Sequence, residues 1–169
     1  MKDNFKQERV NLAAAFRWAA RLNMHEAVAN HFSLAVSDDG SKFLLNPIGM
    51  HFSQICASDL LVIDSKNAET MSQPNAPDAT AWAIHGAMHR NNLHARCILH
   101  VHPKYATILA CLEDKVMKPI DQNTMRFYEK VSIDYDYDGM GVGDEAERLC
   151  TILGDNSVLL MGNHGVLTA

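Results

Sequence analysis

The chain has 169 residues, enough for one domain that buries a sizeable core. Hydrophobic residues make up 47% and charged residues 21%, a globular balance that excludes a disordered or fibrous chain. A net charge of −5 gives no general attraction for nucleic acid or an anionic membrane, so neither is expected as a partner.

Met1-Lys2-Asp3-Asn4 leads into an amphipathic stretch without a signal-peptide core. No apolar run approaches the ~20 residues of a membrane helix. Cys56, Cys97, Cys111 and Cys150 lack CxxC spacing and sit among apolar neighbours, which predicts reduced core thiols and a cytoplasmic protein.

In chain order, Val10, Leu12, Ala13, Phe16, Ala19, Ala20 and Leu22 predict a helix with one apolar face within residues 5–24. Asn30 to Val36 alternates as a strand. Ser37-Asp38-Asp39-Gly40 turns it, and Lys42 to Leu45 returns as the second strand of a hairpin. Asn46-Pro47-Ile48-Gly49 breaks the pattern. Ala57-Ser58-Asp59 reads as a helix cap or turn, and Leu60 to Ile63 as a short buried strand. After a polar loop, Asp78 caps a helix from about Ala79 to Asn91. Arg96 to Val101 is an apolar strand ended by Pro103, and Tyr105 to Leu112 a short helix. Asp134 to Gly143 is an acidic, aromatic loop. Asp144 caps a helix to about Leu153, and Ser157 to Met161 forms a strand. Helices alternating with strands imply an α/β chain with a layered core.

Nine histidines are a rich supply, so position must separate ligands from filler. His100 and His102 stand two apart at the end of a strand, so both imidazoles lie on one face while Val101 points into the core. Strand ends are where open α/β sheets bind ligands. A third histidine, His164, follows a second buried strand within Gly162-Asn163-His164-Gly165. Its two glycines let the backbone approach closely and aim the ring. Three neutral imidazoles with an open position suit one divalent ion. Zn fits such a catalytic site best, with Mn, Fe and Co as further candidates.

His85 and His89 form a rival pair, i and i+4 on a helix, but His-Gly-Ala-Met-His lacks the glutamate of a metalloprotease motif. For His85, a half-buried structural role stands beside a role supporting the site. His31 could line a pocket or lie on the surface. Tyr105, just past the His-Val-His strand, suits either packing or proton donation. His25, His51 and His94 lack partners by spacing. Asn30, Ser33 and Asn46 add side-chain donors around the hairpin, and Gly49 exposes backbone N–H groups, a combination suited to a carboxylate or phosphate. No glycine pattern of a nucleotide-binding loop is present.

Several segments together carry a resemblance. Asn30-His31-Phe32-Ser33, Phe43 to Gly49 and Ala57-Ser58-Asp59-Leu60 are followed by His85-Gly86-Ala87-Met88-His89, His100-Val101-His102-Pro103 and Leu159 to Thr168. In this order they resemble the class II aldolase/adducin family, across nearly the whole chain. The resemblance implies a three-layer α/β/α sandwich around a largely antiparallel sheet. It implies a metal on His100, His102 and His164, and a small-molecule substrate whose anion is held by the Gly49 loop and the Asn30 strand. It also implies a homo-oligomer, usually a C4 tetramer with sites between subunits. The family contains sugar-phosphate aldolases, an epimerase, a dehydratase, aromatic decarboxylases and the non-enzymatic adducin head.

Two departures shape the functional expectation. The position of the aldolases' catalytic glutamate is Ala81 here, and Asp78 lies almost a turn away. The local wording around Asn46-Pro47-Ile48-Gly49 and Ala81-Trp82-Ala83-Ile84-His85 looks closer to the adducin-like bacterial branch. The family also continues some tens of residues past the Asn-His-Gly turn, so residues 1–169 are expected to be a single domain lacking its C-terminal segment. The expected function is a metal-dependent carbon–carbon lyase, aldolase or decarboxylase, on a small phosphorylated or carboxylated hydroxy-carbonyl compound. Without an acid at Ala81, proton transfer falls to His31, His85 or Tyr105, to metal-bound water, or to a partner subunit. The alternative is a non-catalytic adducin-head-like interaction domain or an inactive truncated enzyme.

Overall fold

The computed structural model describes residues 4–136 and 143–169. Much of the predicted acidic loop, residues 137–142, therefore lies outside the described residues. The elements are α1 (Lys6–Arg21), β1 (His31–Ala35), β2 (Lys42–Leu45), β3 (Leu61–Asp64), α2 (Ala79–Asn91), β4 (Cys97–Val101), α3 (Lys104–Cys111), β5 (Val131–Asp134), α4 (Asp144–Leu153), β6 (Val158–Met161) and β7 (Gly165–Thr168). Single 3-10 turns occur at Ala68–Ser72 and Thr124–Phe127.

One sheet runs β3-β2-β1-β4-β7-β6-β5. Every neighbouring pair is antiparallel except β5–β6. Strand alternation divides its side chains between two cores. On one face Phe32 and Val101 pack with Leu12, Phe16 and Ala19 of α1. Phe16 stacks on Phe32 at a ring separation of 4.7 Å and meets Phe52 edge-on at 4.6 Å. On the other face Ile98 and Leu167 pack with Ile84 and Met88 of α2 and Leu149 and Leu153 of α4. The chain is thus an α/β/α sandwich around a largely antiparallel sheet.

The register of the central pair positions the chemistry. β1 sets His31 opposite His100 and Ser33 opposite Ile98, all on the α2 face, while Phe32 opposite Leu99 points to α1. Asp78 caps α2, as its sequence predicts, accepting hydrogen bonds from the backbone N–H groups of Thr80 and Ala81.

Several expectations need correction. Asp144 is the first helical residue of α4, not its cap; Gly143 holds the cap position and no side chain bonds there. β3 is an edge strand with Val62 37% exposed, because only β2 flanks it. Val10 on α1 and Leu22 just past its end stand exposed, so the buried stripe is narrower than the apolar count. Cys150 is buried and Cys97 half-buried, but Cys56 and Cys111 are exposed, so only part of the thiol set is core. β5 and β7 add strands that the sequence pattern did not separate from loop. No described helix is long and apolar enough to cross a membrane.

Candidate metal centre and adjoining pocket

His100 is the penultimate residue of β4, 2% exposed, and His102 lies just beyond the strand end. His164 reaches them from the β6–β7 turn, closed by the His164 N–H donating to the Met161 carbonyl at 3.1 Å. The two glycines of that turn are there for contact. A Cβ on Gly162 would collide with the Asp134 carbonyl oxygen. One on Gly165 would sit 2.5 Å from His102 Cδ2 and 2.8 Å from the Val101 oxygen. Only hydrogen at these positions lets the turn close against the ends of β5 and β4. The three imidazoles bring a potential ligand nitrogen each within 4.8 Å of one another. No other group of three or more His, Cys, Asp or Glu side chains among the described residues lies so close together.

The hydrogen bonds at the far sides of two rings decide what the near sides can do. His100 Nδ1 donates to the Val166 carbonyl at 3.2 Å, and His102 Nδ1 donates to Glu26 Oε2 at 2.6 Å. With both rings neutral, their Nε2 atoms carry lone pairs, and these face each other 3.0 Å apart. Two lone pairs so placed repel unless a proton or a metal cation lies between them. Two nitrogens on one tetrahedral zinc sit roughly 3.3 Å apart at ordinary Zn–N lengths. The donor set therefore fits a divalent ion. Burial holds His100 well below the ordinary imidazole pKa, and the neighbouring His31, His164 and His102 push the same way. Burial, then His102, lowers His164 to about 4 against the pull of Glu26 and Asp134. Both rings are thus kept in the neutral form that metal binding requires.

Glu26 was not singled out by sequence. No spacing rule links residues 26 and 102, and the carboxylate arrives from the irregular segment before β1. Carboxylate–histidine–metal arrangements fix ring orientation and raise ligand basicity. Glu26→Ala is therefore expected to weaken metal binding by about 10–100-fold, while unfolding is little changed because the Glu26 side chain is 65% exposed. Competition titration against a chelating dye reads the first quantity and urea unfolding the second.

Beside the candidate metal centre lies a pocket of about 190 Å³ whose walls include Asn30, His31, Asn46, Asp78, Thr80 and Ala81. His31 is buried in its wall, with its ring 4.8 Å from that of His100. Burial first, then His164 and His102, lower its pKa to about 4, with Asp78 pulling the other way. Asn30 accepts a hydrogen bond from the Glu26 N–H through Oδ1, but its buried Nδ2 has no partner. Asn46 is committed to structure: its Oδ1 accepts from the Phe32 N–H and its Nδ2 donates to the Asn30 and Pro47 carbonyls. Gly49 has a φ of 73° with open space around it, in an adjoining depression that shares Ile48 with this pocket. Burial pushes the Asp78 carboxyl up, but the bonds from Thr80 and Ala81 outweigh it and the group ends below its ordinary value.

Three predicted residues stand differently from expectation. His85 is fully buried rather than half-buried, bonded to His31 and Ser33. Ser33 is equally buried, and its hydroxyl sits between His85 and His89 rather than facing an anion. Tyr105 is 80% exposed, so in the single chain it neither packs nor enters the pocket. His85 and His89 do not converge on a metal, since their rings are 6.4 Å apart with Ser33 bonded to both. His25 and His51, expected to lack partners, bond each other at 2.7 Å between Nε2 atoms.

Residues 10–169 match the model of the class II aldolase and adducin N-terminal domain. The fold overlays the crystal structure of an aldolase II superfamily protein from Pseudomonas syringae with a TM-score of 0.84 and 31% identity, covering 95% of this chain and 64% of that one. An L-fuculose 1-phosphate aldolase from Glaciozyma antarctica shares the fold at a TM-score of 0.76 and 24% identity, over 95% and 62% of the two chains. The decarboxylase NovR of Streptomyces niveus is 26% identical over 98% of this chain and 62% of its own length. The chain thus spans less than two thirds of the length of these relatives. It belongs to the class II aldolase and adducin family.

Proposed function

We propose that the chain is a divalent-metal-dependent carbon–carbon lyase acting on a small hydroxy-carbonyl compound that carries a carboxylate or phosphate. The observation that carries this reading is the facing pair of Nε2 atoms on His100 and His102, with His164 as third donor. These three residues would hold the ion, Zn before Mn, Fe or Co, through neutral imidazoles. Such an ion supplies Lewis acidity toward a hydroxyl–carbonyl or hydroxyl–carboxylate pair.

The chain's own residues do the rest. The unpartnered Nδ2 of Asn30 donates to a substrate oxygen, and the Gly49 loop extends the same surface toward an anion. His31, neutral in the pocket wall, takes the proton. In retro-aldol cleavage the C–C bond breaks, its electron pair moves to the carbon beside the carbonyl, and the hydroxyl proton passes to His31 Nε2. In decarboxylation the pair remains on that carbon as carbon dioxide leaves, and no hydroxyl proton need be removed. The Asp78 carboxylate is spent on capping α2, so it does not replace the glutamate missing at Ala81. That favours decarboxylation, in keeping with the decarboxylase among the relatives. Tyr105 enters only if a neighbouring copy in a homo-oligomer brings its own site to it.

One observation favours the non-catalytic alternative. Ala81 is 1% exposed and packs with Phe43, Leu45 and Ile63, so the usual position of the acid belongs to the core here. Metal analysis of the purified chain separates the readings. One ion per chain, with aldehyde or carbon dioxide released from sugar phosphates or hydroxy-aromatic acids, lost on chelation and regained with metal, is the expected result. No metal even after reconstitution leaves the interaction domain.

A further inference from the structure

Four polar groups that the metal centre does not use form one buried line. His89 Nδ1 lies 2.7 Å from the Ala95 carbonyl oxygen. His89 Nε2 lies 2.7 Å from Ser33 Oγ, which is also bonded to His85 Nδ1. His85 Nε2 lies 2.7 Å from His31 Nδ1. All four side chains are buried, none more than 6% exposed. No water is needed to close any link.

The direction of every link follows from one end. A carbonyl can only accept, so His89 Nδ1 carries hydrogen. In a neutral ring Nε2 then accepts, and the Ser33 hydroxyl donates to it. That hydroxyl has one hydrogen, so toward His85 Nδ1 the oxygen can only accept, and His85 Nδ1 carries hydrogen. His85 Nε2 is then an acceptor, and His31 Nδ1 donates to it. The last atom, His31 Nε2, is left with a lone pair. The reverse polarity requires His89 to be an imidazolium, buried against the Phe43 ring 5.1 Å away. An isolated charge there is costly.

We propose that the Ala95 carbonyl, acting through His89, Ser33 and His85, locks His31 as the Nδ1–H tautomer, so that its Nε2 is a standing proton acceptor for the pocket it lines. This rests on the reading above that the pocket takes a substrate, and it names His89, Ser33 and His85 as positioning residues for that site. A surface histidine exchanges between tautomers and offers an acceptor at a given nitrogen only part of the time. His31 offers one always.

The test is a long-range 1H–15N correlation spectrum of the full chain labelled with 15N-histidine, recorded with and without Zn2+. Expected are three rings, His31, His85 and His89, each protonated at Nδ1 and bare at Nε2. In Ser33→Ala, His89 keeps its Nδ1 hydrogen while His85 and His31 become tautomer mixtures. A wild-type spectrum with hydrogen on His31 Nε2 overturns the proposal, as does a His31 signal untouched by Ser33→Ala. If that variant does not fold, the wild-type spectrum decides alone. A chain that binds no metal and cleaves nothing, yet gives the predicted spectrum, would sink the lyase reading and leave the locked tautomer standing.

Discussion

Lowering the pH from 6.5 toward 4 is expected to unfold the metal-free chain. Burial is the largest cause of the low pKa of both His31 and His89, each brought from 6.5 to about 4. An unfolded chain regains the ordinary value. Between the two values the unfolded state binds more protons than the folded one, so stability falls with pH. The stability is fully present above pH 6.5 and is lost as the pH falls through the window to about 4. At 1.36 kcal/mol per unit, each ring accounts for about 3 kcal/mol. Two such rings rival the ~5–15 kcal/mol that holds a typical domain together. His85 and His100, lowered further, keep the loss going in the same direction. Urea midpoints at pH 7.5, 5.5 and 4.5 measure this. A midpoint that stays level across that range would mean that these histidines are not buried and neutral. Bound metal should move the loss to lower pH, because an ion on His100, His102 and His164 competes with protons there.

The second large effect is loss of metal in His164→Ala. One of the three proposed ligands disappears, so affinity should drop by more than the roughly 10–100-fold that follows removal of an outer partner. His164 sits on a half-exposed turn between β6 and β7, and its removal leaves the cores of both faces intact. His100→Ala should lose the metal equally but also lose stability, since His100 is 2% exposed and bonded to Val166. Metal content after dialysis, set beside urea unfolding, separates the two variants. Wild-type affinity in His164→Ala would remove this histidine from the site.

Much of this site could be read from the sequence because local rules decide it. Two histidines two apart on a strand share a face whatever the rest of the fold does. A histidine between glycines at a strand end signals a close approach, and Gly165 packs against His102 for that reason. Asp78 announced its helix through the capping preference of a short carboxylate. What escaped depends on distance along the chain. Glu26 meets His102 across 76 positions, and no pattern within either segment implies the other. Ser33 looked like a donor for an anion because its neighbours Asn30 and Asn46 flank the same hairpin, but strand alternation turns it inward to α2. His85 and His89 looked like a metal pair because i and i+4 share a helix face. A single hydroxyl bonded to both made them a hydrogen-bonded line instead. β5 and β7 escaped because Val131-Ser132-Ile133-Asp134 holds only two apolar residues and Gly165-Val166-Leu167-Thr168 begins inside the glycine turn itself.

β1 serves as a wall shared by two rooms. Its even and odd residues supply the aromatic packing under α1 and the polar line under α2. Deleting His31 would exchange the two sets along the rest of the strand, placing Phe32 where the imidazole belongs and Ser33 among the phenylalanines. A slipped chain could not fold well and merely lack activity. Assembly of the site and completion of the core are the same event, so a cell's quality control for misfolded chains also screens for a misbuilt site.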